Sequence, residues 1–421
     1  MNLFMKTICA AAVASFFSAA MINNVQACMT YEEYLAIKKS AECCKDEKPS
    51  ADGKVGGTEK PADKETPQLK GDTPPKIQLA ILLDTSGSMS GLIDQARTQI
   101  WKIVNEFAFV TQKGVTPEFE VSLYEYGNSG LQDSEGYLRQ IVGFSTDLDK
   151  ISEELFKLST NGGSEHCGQV IKSAVEGLKW SEHETDYKAI FIAGNEPFTQ
   201  GPVEFKDACK AAITKGIIVN TIHCGSHQEG IDGKWLEGAQ LADGSYMSID
   251  HNTKVAHVEA PQDNEIIELG KKLNDTYIHY GKDGEEGAKR QEAQDSNAND
   301  AGQGADVNRA LAKKNSQYRN AAWDLIDAID EKKVKLEDIK AEDLPEALRK
   351  LSKEELAKYI DEKRKERAEI KEKLNKLEAD RNKFVVAKRL ELAESGEESL
   401  DAAMIKAIRE QAGKRGFKNE G

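Results

Sequence analysis

Asp84, Ser86 and Ser88 stand at alternate positions in the run Asp84-Thr85-Ser86-Gly87-Ser88. One carboxylate and two hydroxyls are hard oxygen donors, the set that suits Mg²⁺, Mn²⁺ or Ca²⁺ rather than Zn²⁺. A turn at this point can aim all three inward, and Gly87 relaxes the backbone between them. A D-x-S-x-S string is weak evidence by itself, because its residue types are common. The alternative is a turn whose Asp and Ser side chains only bond their own backbone. Context favours the cation site. The string follows the apolar run Ile77–Leu83, which reads as a buried strand, and ligands of open α/β sheets sit at the carboxyl ends of strands.

The elements that must position this turn are legible as an alternation. Helical spacing covers 91–111, with Leu92, Ala96, Ile100, Ile103, Val104 and Phe107 on one stripe. Strands are expected at 119–124 and 138–144, then helices at 148–158 and 167–180. A strand at 189–193, a helix at 203–215 and a strand at 217–223 follow, and a helix at 234–242, a strand at 246–249 and a helix at 264–280 close the run. Strands alternating with helices imply crossovers, hence a doubly wound, mainly parallel α/β sheet over residues 76–281. Residues 282–305, rich in Gly, Asp, Asn and Gln, read as a linker. Residues 306–421 read as a charged helical region, broken at Leu344-Pro345 and restarted by a capping box at Ser352 and Glu355. Lys363, Arg367 and Arg381 occupy seam positions there, so a helical hairpin or a stalk fits better than a long coiled coil.

In this setting the chain resembles a von Willebrand factor type A domain, with Ile77–Met89 similar to its first strand and metal-ion-dependent adhesion site. The resemblance implies a mainly parallel sheet with one short antiparallel edge strand, which the 119–125 and 138–144 segments fit. It implies a second-loop hydroxyl from Gly162-Gly163-Ser164, with Ser164 the donor and Thr160 a lesser substitute. It implies a third-loop aspartate, but Gly194 holds that position, leaving Asn195 or Glu196 to donate oxygen from a different backbone position. The expected site is therefore Asp84, Ser86, Ser88, Ser164, Asn195 and Glu196 around a divalent cation, Mg²⁺ first, completed by waters or an acidic group from a protein partner. Gly162–Gly168, Ala193–Gly201 and Thr221–Gly225 resemble an exported bacterial subgroup, to which the helical tail also conforms.

His166-Cys167 and His223-Cys224-Gly225-Ser226-His227 fall near the same sheet edge. A Cys–His nucleophile needs an activated thiolate. The plainer reading is a disulfide or buried thiols among Cys167, Cys209 and Cys224, with loop histidines rather than a transition-metal set. No phosphate-binding G-x-x-x-x-G-K-[ST], no G-x-S-x-G and no H-E-x-x-H occurs.

Residues 1–27 read as a signal peptide: Lys6, an apolar run from Ile8 to Ile22, and Val25-Gln26-Ala27 as the cleavage site. Val25–Cys28 resembles a bacterial lipobox with an imperfect Gln26. One reading is a lipid tether at Cys28, the other ordinary cleavage before a cysteine. Residues 28–75 are an N-terminal segment and linker, of which 45–75 are too poor in apolar groups to offset ordering entropy. Export makes the site periplasmic or secreted and leaves Cys28, Cys43, Cys44, Cys167, Cys209 and Cys224 in a disulfide-permissive space. The 421-residue chain carries 57 basic and 72 acidic side chains, a net charge of −15, which argues against a nucleic-acid partner. A non-enzymatic interaction module leads; an envelope thiol/His enzyme and a structural assembly protein without a working metal site are the alternatives.

Overall fold

The computed structural model of the chain describes residues 74–107, 110–252, 257–392 and 400–419. Residues 1–27, expected to be a signal peptide, together with Cys28, Cys43, Cys44 and nearly all of the 28–75 segment, lie outside the described residues.

Six strands form one sheet: β1 (Lys76–Asp84), β3 (Glu118–Tyr126), β4 (Leu138–Ser145), β5 (Tyr187–Gly194), β6 (Ile218–Cys224) and β7 (Tyr246–Ile249), in the order β4-β3-β1-β5-β6-β7. Only β4 runs antiparallel, against β3, with a register shift between Val121 and Tyr124. β1 is central, paired in parallel with β3 and β5, and every residue from Ile77 to Asp84 is buried. A strand covered on both faces needs no polar alternation, which accounts for the unbroken apolar run. Its side chains still alternate. Leu79, Ile81 and Leu83 enter one core layer; Ala80 and Leu82 enter the other.

The first layer lies under α1 (Ser90–Glu106) and α2 (Leu148–Lys157). The second lies under α3 (Cys167–Gly177) and α4 (Phe205–Thr214). α5 (His227–Asp232) and α6 (Trp235–Gln240) fill the β6–β7 crossover, and α7 (Asp263–Asn274) follows β7. Chain order reverses on either side of β1, so its carboxyl end, where Asp84 sits, is the topological switch point of the sheet. These elements follow the expected alternation closely.

The tail departs from expectation. Residues 282–305 hold α8 (Gly284–Asp300), not a linker. Its composition is polar because its buried face works through hydrogen bonds. The Ser152 hydroxyl donates to Gln294 Oε1 at 2.9 Å, and Arg290 pairs with Asp147 and Glu153. Gly287 admits the Trp323 ring, whose Cγ lies 2.2 Å from where a Cβ would stand.

Nor does the first core layer end at residue 281. It takes in Ala312 from α9 (Gln303–Lys314) and Met404, Ala407 and Ile408 from α12 (Leu400–Lys414). α10 (Leu325–Asp330) joins α11 (Lys353–Leu392) around Leu344, Leu348, Leu356 and Ile360. α11 starts at the expected capping box, with the Ser352 amide donating to Glu355 at 2.8 Å and the Glu355 amide to Ser352 Oγ at 3.2 Å. Its seam residue Arg367 is buried, with Nη1 donating to Asp324 and Asp327 at 2.8 Å each. The last strand, β8 (Phe417–Asn419), pairs with β2 (Val110–Gln112). Gln411 locks the C-terminal helix to the sheet through a reciprocal amide pair with Asn220 and a 2.8 Å bond from the Tyr187 hydroxyl. The helical region is thus built into the α/β body rather than projecting as a stalk.

Candidate functional site at the switch point

Asp84 closes β1 fully buried, level with Tyr126 of β3. Its Oδ1 accepts from the Ser86 amide at 2.8 Å, while its Oδ2 is buried without a hydrogen-bond partner. Thr85 turns away. Its amide donates to the Tyr126 carbonyl at 2.8 Å and its hydroxyl to Glu125 at 3.2 Å, which fixes the turn to β3. The Ser86 hydroxyl is buried and makes no hydrogen bond of good geometry. The Asn195 side chain donates to Ser88 Oγ at 3.2 Å, leaving its own Oδ1 buried and unpartnered. Three oxygens, from Asp84, Ser86 and Asn195, therefore stand without partners in a region where such groups are normally bonded.

The second loop reaches this turn through its backbone. The Asn161 amide donates to the Thr85 carbonyl at 3.0 Å, and the Ser129 amide to Gly162 O at 2.7 Å. Gly163 lies so close to Gly127 that a Cβ would stand 1.7 Å from its carbonyl oxygen, so only glycine fits. Ser164 is half-buried in this loop, and among the described residues no hydrogen bond ties it to the Asp84 turn. The side chain the loop delivers is its neighbour, Glu165. Asp84 Oδ1 and Glu165 Cγ both crowd the space above Gly127, at 2.8 and 3.0 Å from its missing Cβ. Sequence reasoning passed over Glu165, although a carboxylate directly after the Gly-Gly-Ser turn was there to be read.

Glu196 follows Asn195. It accepts from Gln200 at 3.3 Å, and its carbonyl holds the Trp235 indole at 2.9 Å. The Gln200 carbonyl oxygen of the side chain in turn accepts from the Glu165 amide at 3.3 Å. Burial pushes the Asp84 carboxyl up to about 6, against the pull of the Ser86 and Asn195 amides, and Glu196 adds to the rise. Burial, then the charges of Asp84 and Glu196, push Glu165 up to about 7. Three acids thus repel one another at one crevice.

The absent third-loop aspartate has a steric cause. A Cβ on Gly194 would stand 2.4 Å from the Tyr126 hydroxyl oxygen and 2.9 Å from Asp84 Oδ2. That hydroxyl fills the slot and donates to the Ala193 carbonyl at 3.0 Å.

An antiparallel edge strand, β1 at the switch point and an Asp-x-Ser-x-Ser turn at its end are now all in place. This is a von Willebrand factor type A-like fold. No family model matches the chain, and neither does any curated protein. Several solved structures align with roughly two-fifths of it. BatB from Bacteroides thetaiotaomicron is 18% identical, the match covering 41% of this chain and 90% of that one with a TM-score of 0.32. An aerotolerance-related membrane protein from Bacteroides fragilis is 17% identical, covering 42% and 93% with a TM-score of 0.30. The VWA domain of SpRpn10 is 16% identical, covering 43% and 100% with a TM-score of 0.32.

The cysteines of this type A-like body are free thiols. Cys167, Cys209 and Cys224 are all buried, and no disulfide joins them. Burial pushes each thiol up, the reverse of what a nucleophile needs. His223 is buried against Trp235, His227 packs on Tyr246 and His166 on Tyr137. Among the described residues, no three His, Cys, Asp or Glu side chains group as a chelating set. A cation at the switch point would have to draw on hydroxyl, amide and water oxygens beside its carboxylates. No described helix is long and apolar enough to cross a membrane.

The raised acids carry a signed consequence. A carboxyl whose folded pKa exceeds its unfolded one costs nothing below the unfolded value, and its cost is complete above the folded value. In chelator, wild-type stability is therefore expected to fall as pH rises from about 4 to 7 relative to Asp84→Asn. At pH 8 the variant should be about 2 kcal/mol the more stable, the displacement of Asp84 setting a ceiling near 3. Urea denaturation across pH checks this; equal stabilities at pH 8 would contradict it.

Proposed function

We propose that the switch-point crevice is a cation-assisted docking site for a protein partner, non-enzymatic, in an exported protein of the bacterial envelope. One observation carries the reading: buried Asp84 Oδ2, Ser86 Oγ and Asn195 Oδ1 make no hydrogen bond of good geometry. Hard oxygens of this kind, beside crowded carboxylates, fit Mg²⁺ first and Mn²⁺ or Ca²⁺ after it. Asp84, Ser86, Ser88 and Asn195 would hold the ion. Glu165 would join them directly or through water, with Ser164 and Glu196 on the rim. The cation supplies positive charge that relieves the repulsion among the acids and offers a ligand position to an acidic side chain of the partner. Supporting export are the leader-like residues 1–27; a lipid on Cys28 would hold the crevice at a membrane surface, with the 28–75 segment as spacer. The C-terminal helices, as an extension of the exported type A subgroup, would brace this crevice from the first core layer.

Thermal or chemical unfolding with Mg²⁺, Mn²⁺ and Ca²⁺ tests the reading. A cation at about 100 times its Kd is expected to stabilise the wild type by about 2.7 kcal/mol. Asp84→Ala should show no cation-dependent shift. If none of the three ions moves the wild-type transition, the proposal fails. Affinity capture from envelope extract with and without chelator, wild type against Asp84→Ala, then tests the partner.

A further inference from the structure

The C-terminal helices meet the α/β body at a group of side chains with chemistry of its own. Lys313, near the end of α9, is buried to 2% exposure. Its Nζ donates to Asn274 Oδ1 at 2.9 Å and to Asp295 Oδ2 at 2.6 Å. Asn274 ends α7, and its side-chain nitrogen donates to the same Asp295 oxygen at 2.6 Å. An amine, the carboxamide it can attack and a carboxylate touching both nitrogens therefore converge from three separate helices. The helices are held there. A Cβ on Gly270 would stand 2.6 Å from Ala310 Cβ, so the missing side chain lets α7 and α9 close one turn before the reacting pair. Ile266, Leu269, Leu273, Val307 and Leu311 make the adjoining contact apolar.

We propose that Lys313 and Asn274 form an intramolecular isopeptide bond, with Asp295 relaying the proton. The Lys313 Nζ lone pair attacks Asn274 Cγ, whose carbonyl oxygen it already touches. Asp295 Oδ2 takes a proton from Nζ and delivers one to Asn274 Nδ2, its other hydrogen-bonded neighbour. The Cγ–Nδ2 bond breaks, a Cγ–Nζ amide forms, and one ammonia leaves. No oxidant, reductant or further reactant is consumed, and the carboxylate is regenerated.

The electrostatics are compatible with each role. Burial pushes the Lys313 amine down to about 8 against the pull of Asp295, so a share is neutral and nucleophilic near neutral pH. Burial alone would raise the Asp295 carboxyl, but Arg309 and Lys313 hold it down at about 2, so it is ionised at rest and passes a proton on to Asn274 Nδ2 rather than keeping it. Holding the groups in contact supplies the orientation that such a step needs. A cavity of about 300 Å³ lined by Asp295, Lys313, Asn299 and Lys271 gives ammonia a way out. The bond would tie the end of α7 to the end of α9, joining the helical tail to the α/β body covalently. The described cysteines provide no such tie, and an amide is indifferent to the redox state of the surroundings.

Tryptic mapping of the purified full chain by mass spectrometry decides the matter. Trypsin cuts after Lys272, Lys282, Arg309 and Lys314. The expected product is a branched peptide joining residues 273–282 to 310–314, lighter than the sum of the two by one ammonia and uncut after Lys313. Lys313→Arg keeps the charge and the pairing but cannot give this product, and should yield the linear 273–282 peptide in full. Asp295→Asn, where it folds, should lose most of the branched species. Recovery of the linear 273–282 peptide in full from the wild type, with the chain cleaved after Lys313, would overturn the proposal and leave a buried ion pair. Because the readout is a mass, its failure is independent of the cation experiment.

Discussion

Arg309→Ala is expected to cost about 3–5 kcal/mol of unfolding free energy, the usual penalty for stranding one half of a buried ion pair. Arg309 is 1% exposed. It bonds the Asp149 carboxylate through Nη1 and Asp295 Oδ1 through Nε at 2.7 Å, and its guanidinium carbon lies 4.3 Å from the Trp101 ring centroid and 5.1 Å from that of Tyr318. Asp295 would keep Lys313, but Asp149, 2% exposed, would keep only the 2.6 Å bond from the Tyr318 hydroxyl. The loss should therefore be concentrated in Asp149. That makes a second measurement informative. Arg309→Met combined with Asp149→Leu removes both charges and should lose less than Arg309→Ala alone, because no ion is then left dry. Guanidinium denaturation reads both. A cost below about 1 kcal/mol for Arg309→Ala would mean that water reaches Asp149 and that the tail helices are not locked as described. The prediction bears on architecture as much as on energy, since Asp149, Asp295 and Arg309 belong to α2, α8 and α9 and bind the C-terminal region to the body.

What was legible in the sequence was what local pattern encodes. β1 announces itself because a strand covered on both faces is apolar throughout, and Asp84-Thr85-Ser86-Gly87-Ser88 marks where it ends. The capping box at Ser352 and Glu355 is four residues long and equally local. The misreadings are all non-local. α8 has the composition of a linker, and only Ser152, Glu153 and Asp147, more than 130 residues earlier in the chain, make its amides and Arg290 structural. α12 looks like one more charged helix until Asn220 and Tyr187 are seen to claim Gln411. At the site, the type A pattern points to Ser164, and the backbone path over Gly163 also brings Glu165, which the pattern does not name, against Asp84. Gly194 could be read as a departure, but not why, since the reason is a hydroxyl on another strand.

That reason yields the second large effect. Gly194→Asp would restore the residue type that the family pattern calls for, and a reading from pattern alone expects a tighter cation site. The structure argues the opposite. The new Cβ would enter at 2.4 Å from the Tyr126 hydroxyl, in a fully buried position, and the new carboxylate would join Asp84, whose Oδ2 is 2.9 Å from the same point. Overpacking of this kind costs about 1–3 kcal/mol, and an unpaired buried charge beside a like charge adds to it, so a total of about 3–5 kcal/mol is expected in chelator. Tyr126→Leu alone frees the slot but drops the 3.0 Å bond to the Ala193 carbonyl. Together the two substitutions should be less damaging than their sum, because Tyr126→Leu removes the clash that Gly194→Asp creates, and a saturating divalent cation should then recover more stability in the pair than in Gly194→Asp. Thermal unfolding of the four proteins with chelator and with Mg²⁺ measures the coupling. Strict additivity, or a stable Gly194→Asp single variant, would show that Tyr126 yields easily and that the glycine is not imposed by the phenol. The expected non-additivity would place the identity of residue 194 under the control of β3, so that two strands, rather than one loop, decide how many carboxylates this crevice can hold.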